Sequence, residues 1–207
     1  MTHLVLLGDS VFANAAYVAG GPDVVSQVRR RLPEGWSVSL RAGDKVLLGD
    51  VPAQLQDLPE GAGGLIVSAG RDDALRHIDV VREGANSTLE VLNKLAYLAD
   101  RFQLDYHNML AAVLDCGLPT GVCTINNPRY RNPLIRRLAA VLVALFDDCI
   151  VREAHAAGLP LIDLRVVCGE DDDYVNSAEP SPQGGEKIAA AIERLVRGEL
   201  FRAGGAA

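Results

Sequence analysis

Residues 3–14 read HLVLLGDSVFAN. The run His3–Leu7 is apolar and short, and it ends at Gly8-Asp9-Ser10. A run of this length bounded by glycine fits a strand buried on both faces. Ser10 then has two readings. It is the cap of the following helix, with Gly8 supplying the turn, or it is a nucleophile at the carboxyl end of a strand. Residues far downstream decide between them.

Four further runs have the same character: Trp36–Leu40, Gly64–Ser68, Thr120–Thr124 and Pro160–Leu164. Helical patterns lie between them. Asp23 caps Val24–Leu32, and Val51–Leu58 follows Asp50. Thr88–Cys116 has apolar residues at helical spacing, with a break expected near Gln103–Asp105. Pro133–Ala157 is long and periodic. Ser181-Pro182 opens a last helix that runs to about Phe201, with serine as N-cap and proline at the first helical position. Strand and helix alternate throughout, which predicts an α/β domain with a five-stranded parallel sheet covered on both sides. In such a sheet, ligands bind at the carboxyl ends of the strands. One domain is expected over 1–203, with 204–207 as a tail.

The 207 residues carry a net charge of −7. That balance argues against a nucleic-acid partner, and the run Arg29-Arg30-Arg31 reads as the basic end of a helix. No stretch is long and apolar enough for a membrane span, and the amino-terminal run is too short for a signal peptide. Cys116, Cys123, Cys149 and Cys168 form no C-x-x-C pair, and Cys123 and Cys149 sit in apolar surroundings. Reduced thiols and a cytoplasmic location are expected. No cofactor is implied, and oligomeric state is left open.

Three stretches share one order along the chain. Gly8-Asp9-Ser10 follows the first strand, Gly70-Arg71-Asp72-Asp73 follows the third, and Asn176-Ser177-Ala178-Glu179-Pro180-Ser181 precedes the last helix. In order and spacing they resemble the SGNH, or GDSL, hydrolase family. That family has a GDS near its amino terminus, a glycine after the second strand, a G-x-N-D after the third and a D-x-x-H-P-S before the last helix. The resemblance implies a three-layer, doubly wound, flavodoxin-like fold. It implies acyl transfer from a small ester or acylated substrate to water, with no metal.

Carried over position by position, the resemblance makes Ser10 the nucleophile. Glu179 stands where the family has its histidine base, and Asn176 where it has the orienting aspartate. The oxyanion hole falls to Ser10, Gly43 and Asp72, with Asp72 in place of the asparagine and Lys45 as an alternative register for Gly43. Asp9, Asn14, Lys45, Arg71 and Asp73 are site-adjacent, and Tyr17, Asn126, Asn127, Arg129 and Tyr130 are further candidates for substrate contact. None of the four histidines lies in the last motif.

Each departure has a physical consequence. A glutamate titrates near ~4.3 and a histidine near ~6.5, so a glutamate base needs burial to suit neutral pH. An ionised Asp72 would repel an oxyanion. Three repairs are open: Asp72 stays protonated, Arg71 or Lys45 neutralises it, or Asp72 and Glu179 share a metal ion. Lys45 also permits a Ser–Lys arrangement. Glu170–Asp173 reads as a solvated acidic loop. Two functions therefore stand side by side: a serine hydrolase with an atypical base, and a catalytically impaired module that uses the same pocket to bind a small ligand.

Overall fold

The computed structural model describes residues 2–198. Five parallel strands form one sheet: β1 (Thr2–Gly8), β2 (Trp36–Leu40), β3 (Ala62–Ser68), β4 (Thr120–Cys123) and β5 (Leu161–Ile162). Their order is β2-β1-β3-β4-β5. Leu6 lies in register with Leu40 on one side and Ile66 on the other, and Gly8 with Ser68. The chain reverses direction across the sheet between β1 and β3, the switch point at which such sheets bind ligands.

The alternation of side chains along β1 sorts the core into two layers. Leu4 and Leu6 pack with Val24 and Val28 of α1 (Val24–Arg31) and Ile188, Ile192 and Leu195 of α6 (Pro182–Gly198). Val5 and Leu7 face the other way. They pack with Phe102, Tyr106 and Met109 of α3 (Thr88–Leu114) and Leu142, Phe146 and Ile150 of α4 (Pro133–Ala156). Burial on both faces makes every β1 residue from Leu4 to Leu7 fully buried. Two short helices, α2 (Arg71–Arg76) and α5 (Leu164–Val167), follow β3 and β5 directly.

Local chemistry sets the ends. Asp23 accepts from the Ser26 N–H at 2.9 Å, and Ser181 accepts from the Gly184 N–H at 3.2 Å. Asn132 caps α4, with Pro133 at its first position. Arg29–Arg31 occupy the last turn of α1, and Arg31 also reaches Glu186 and Glu193 of α6.

Four elements differ from expectation. No break occurs at Gln103–Asp105, because Phe102 and Tyr106 stay buried on one continuous face of α3. The segment expected as a helix over 51–58 is a 3-10 helix over Leu48–Leu55 with Pro52 inside it. β5 is only Leu161–Ile162, since Asp163 already caps α5 by accepting from the Arg165 N–H. Glu170–Asp173 is not wholly solvated. Asp173 is buried and holds Lys187, Gln183 and the Glu170 N–H, and these partners keep its carboxyl below the usual range against the effect of burial. The expected end of α6 at Phe201 and the 204–207 tail lie outside the described residues.

Candidate active site

The turn after β1 is built around Gly8, at φ +116°. A Cβ there would lie 1.8 Å from the Ser68 carbonyl oxygen, so only glycine lets β1 and β3 approach this closely. Gln54 clamps the same residue. Its Oε1 accepts from the Gly8 N–H at 2.7 Å, and its Nε2 donates to the Gly8 carbonyl at 2.9 Å. Asp9 is buried and accepts from the Val11 N–H and, at 3.3 Å, from the Arg71 N–H. Burial outweighs the nearby Arg71 charge and pushes its carboxyl up to about 6. Asp9 thus joins the turn after β1 to the start of α2.

Ser10 lies behind this turn and is 1% exposed. Its hydroxyl donates to Glu179 Oε1 at 2.9 Å, across 169 positions of sequence. Arg71 closes the group. Its Nη2 donates to Ser10 Oγ and, at 3.0 Å, to Glu179 Oε1, while Nη1 donates to Glu179 Oε2 at 3.2 Å. All three side chains are buried. A carboxylate and a guanidinium this deep need each other, because either alone would lose its hydration without replacement.

Glu179 is held by its backbone from several directions. Asn176 Oδ1 accepts from the N–H groups of Ala178 and Glu179, both at 2.9 Å. Asn126 and Arg71 donate to the Ala178 carbonyl, and Asn14 donates to that of Pro180. The loop closes through the Val175 N–H to the Glu179 carbonyl at 3.0 Å.

Several candidates occupy other places than expected. Asn176 fixes the main chain of Glu179 and makes no hydrogen bond to its carboxylate; Arg71 orients that carboxylate. Gly43 follows β2, but its N–H donates to the Gly8 carbonyl at 3.1 Å, so it is occupied. Lys45 is exposed in a left-handed turn and reaches no residue of the site. Asn14 is fully buried and uses both ends of its amide, on Pro180 and on the Val24 N–H. Asp73 accepts from the Leu48 N–H at 3.0 Å and serves the adjoining 3-10 helix. Tyr17 donates to Asp44 at 2.9 Å. His77 lies at the exposed end of α2, its ring 6.4 Å from that of Phe146.

Asp72 sits beside Arg71, and its Oδ2 is buried without a hydrogen-bond partner. Burial pushes its carboxyl up, opposed by the Arg71 charge and reinforced by Glu179. Among the described residues, no group of three or more His, Cys, Asp or Glu is placed to hold a metal. Glu179, one half of the imagined Asp72–Glu179 pair, has both oxygens committed to Ser10 and Arg71. Arg71 is the residue of this cluster whose weight sequence reasoning underestimated. It stands at an unconstrained position of its motif, and the one signal was an arginine directly after Gly70 at the end of β3.

No protein-family profile matches the chain, and no curated protein sequence does. Solved structures do. The lipase Lip_vut3 from a goat rumen metagenome superposes with a TM-score of 0.75 at 18% identity, covering 97% of this chain and 100% of that one. An extracellular lipase from Streptomyces rimosus gives 0.67 at 14% identity, over 93% and 98% of the two chains. The lipase/acylhydrolase from Enterococcus faecalis gives 0.67 at 17% identity, over 96% of each. A protein of the G-D-S-L family from Desulfitobacterium hafniense also matches, with a TM-score of 0.65. The sheet order, the helices on both faces and these superpositions agree: this chain has the fold of the SGNH/GDSL hydrolases.

Proposed function

We propose that the chain is a serine hydrolase of small carboxylic esters or acyl groups, with Ser10 as nucleophile, Glu179 as proton acceptor and Arg71 as a positive charge that moves off Ser10 as substrate enters. The observation that carries this reading is the 2.9 Å hydrogen bond from the Ser10 hydroxyl to Glu179 inside a buried cluster. In the proposed first step, Ser10 Oγ attacks the ester carbonyl and its proton passes to Glu179. The collapse of the adduct releases the alcohol, which takes that proton, and water then cleaves the acyl-serine by the same relay. Arg71 supplies positive charge beside Asp72, which stands where the family has its asparagine donor, and the Ser10 N–H supplies the backbone donor. A protonated Asp72 would add a hydrogen bond there, a role its buried, unpartnered Oδ2 suits. The four cysteines are free, as the reducing, cytoplasmic setting we propose for the protein requires.

A second reading rests on a different observation. Ser10 lies under the Arg71 guanidinium and is 1% exposed, so an ester must displace Arg71 to reach it. If Arg71 stays in place, the fold serves as a ligand-binding module. The experiment is hydrolysis of p-nitrophenyl acetate from pH 5 to 9 by the parent, Ser10→Ala and Glu179→Gln. Turnover lost in Ser10→Ala, and reduced ~10²–10⁴-fold in Glu179→Gln, supports the hydrolase. Equal rates in all three proteins would leave the binding module.

A further inference from the structure

A cavity of about 730 Å³ opens against Asn176 and Ser177, in the loop that leads to Glu179. It is walled by Arg82, Arg129, Arg131 and Arg136, with Tyr130 among them and Asp171 as the acidic residue. The chain as a whole is acidic, at −7, yet four arginines converge on this one cavity. Asp171 is the carboxylate in the wall, and it pairs with Arg129 and Arg136. Arg136 donates to Asp171 through both terminal nitrogens, and Arg129 Nη1 stands 3.6 Å from it. Arg129 also donates to the Cys168 and Gly169 carbonyls and lies over the Tyr174 ring. Arg82 has a 3.2 Å pair with Asp79, both largely exposed. Arg131 is exposed and has no carboxylate partner among the described residues. Two of the four guanidiniums thus fix the wall, and two remain facing water.

The place of this cavity matters as much as its charge. Asn176 and Ser177 line it, and the next residues in the chain are Ala178 and Glu179. The Arg129 N–H donates to the Ser177 carbonyl at 2.7 Å, which ties the basic wall to the loop that carries Glu179. The cavity and Glu179 thus share one short loop, which Asn176 holds through the Glu179 N–H.

We infer that this cavity binds the phosphate-type oxyanion of the substrate, so that the preferred substrate is an ester carrying a phosphate or similarly charged group. Guanidiniums suit such a group because their planar N–H pairs match its oxygens and their charge persists at any working pH. The inference rests on the hydrolase reading for the word substrate, but the site itself does not need turnover. Phosphate chemistry has two sources, a small soluble ester and a lipid headgroup, and they are separable by experiment.

The test is calorimetry with phenyl phosphate at low salt on the parent, on Ser10→Ala, and on the double variant Arg82→Gln, Arg131→Gln. Both substitutions fall on exposed side chains outside the catalytic cluster. Binding that survives Ser10→Ala and weakens about tenfold or more in the double variant supports the site. It should also weaken when salt is raised to about 0.5 M, as a charge-driven contact does. Absence of binding to the parent, or equal binding to the double variant, would overturn it. Sedimentation with phosphatidylglycerol and phosphatidylcholine vesicles separates the sources: retention on the former alone, lost in the double variant, assigns the site to a headgroup, and no retention assigns it to a small ester. Because binding is read in Ser10→Ala, a failed hydrolase reading and a failed anion site give different results.

Discussion

Removing Arg71 should unsettle the site in a way that depends on pH. In Arg71→Gln, Glu179 keeps its contact with Ser10 but loses its buried counter-charge. Breaking a buried ion pair by removing one partner costs ~3–5 kcal/mol. Against a domain stability of ~5–15 kcal/mol, the variant should remain folded but easily unfolded. Arg71 also pulls down the carboxyls of Asp9 and Asp72 against the effect of burial, and Asp9 still rests at about 6. Without Arg71 both rise further. The folded state then holds protons that the unfolded state has already released, so stability falls as pH climbs. The deficit of Arg71→Gln should therefore be smallest near pH 5 and largest near pH 8. Urea unfolding, followed by the fluorescence of Trp36 and by circular dichroism at pH 5, 6, 7 and 8, measures it. A cycle with Glu179→Gln should return a coupling of ~0.5–3 kcal/mol. A deficit below about 1 kcal/mol, or one equal at every pH, would refute the view that this cluster is a charge-compensated unit.

Two other perturbations probe the frame around the site. Gly8→Ala places a Cβ 1.8 Å from the Ser68 oxygen at φ +116°, and should cost more than ~4 kcal/mol, lowering Tm by roughly 8–16 °C. Gly49→Ala meets nothing within 4 Å and should stay within about 0.5 kcal/mol of the parent, so equal Tm losses in the two variants would contradict the packing account. Asp147 is fully buried, accepts from the Ile125 N–H at 2.7 Å, and burial pushes its carboxyl up to about 7, with Arg165 at 3.5 Å opposing. A carboxyl raised in the folded state makes stability fall as pH rises from about 4 to 7. Asp147→Asn keeps the acceptor and removes the titration, so it should recover about 2–3 kcal/mol relative to the parent between pH 5 and 8. A parallel pair of stability curves would show that Asp147 does not titrate there.

The strands were legible because a parallel strand covered on both faces must be apolar almost throughout, and Leu4–Leu7, Leu65–Val67 and Val122–Cys123 obey that rule. Caps were legible for the same local reason: Asp23 and Ser181 each satisfy an N–H group three residues on. The irregular elements were not. Pro52 sits inside a 3-10 helix, and only the packing of Leu48 and Val51 shows where that turn begins. In the site, the meeting of Ser10 with Glu179 followed from motif order alone. The roles of their neighbours did not follow, because they depend on which atoms are already bonded. Gly43 has spent its N–H on Gly8, Asn14 has spent both ends of its amide, and Asn176 serves the backbone. Arg71 has the reverse history. A charged residue beside Gly70 suggested a neutraliser of Asp72, whereas its bonds run to Ser10 and Glu179.

The central claim is that Ser10 is an activated nucleophile. Intact-mass and peptide analysis after exposure to a fluorophosphonate at pH 7.5 tests it most directly. The account predicts one adduct per chain, located on Ser10, absent in Ser10→Ala and formed far more slowly in Glu179→Gln. A parent protein that stays unlabelled under conditions that label a reference serine esterase, or an adduct formed equally in Ser10→Ala, would contradict it.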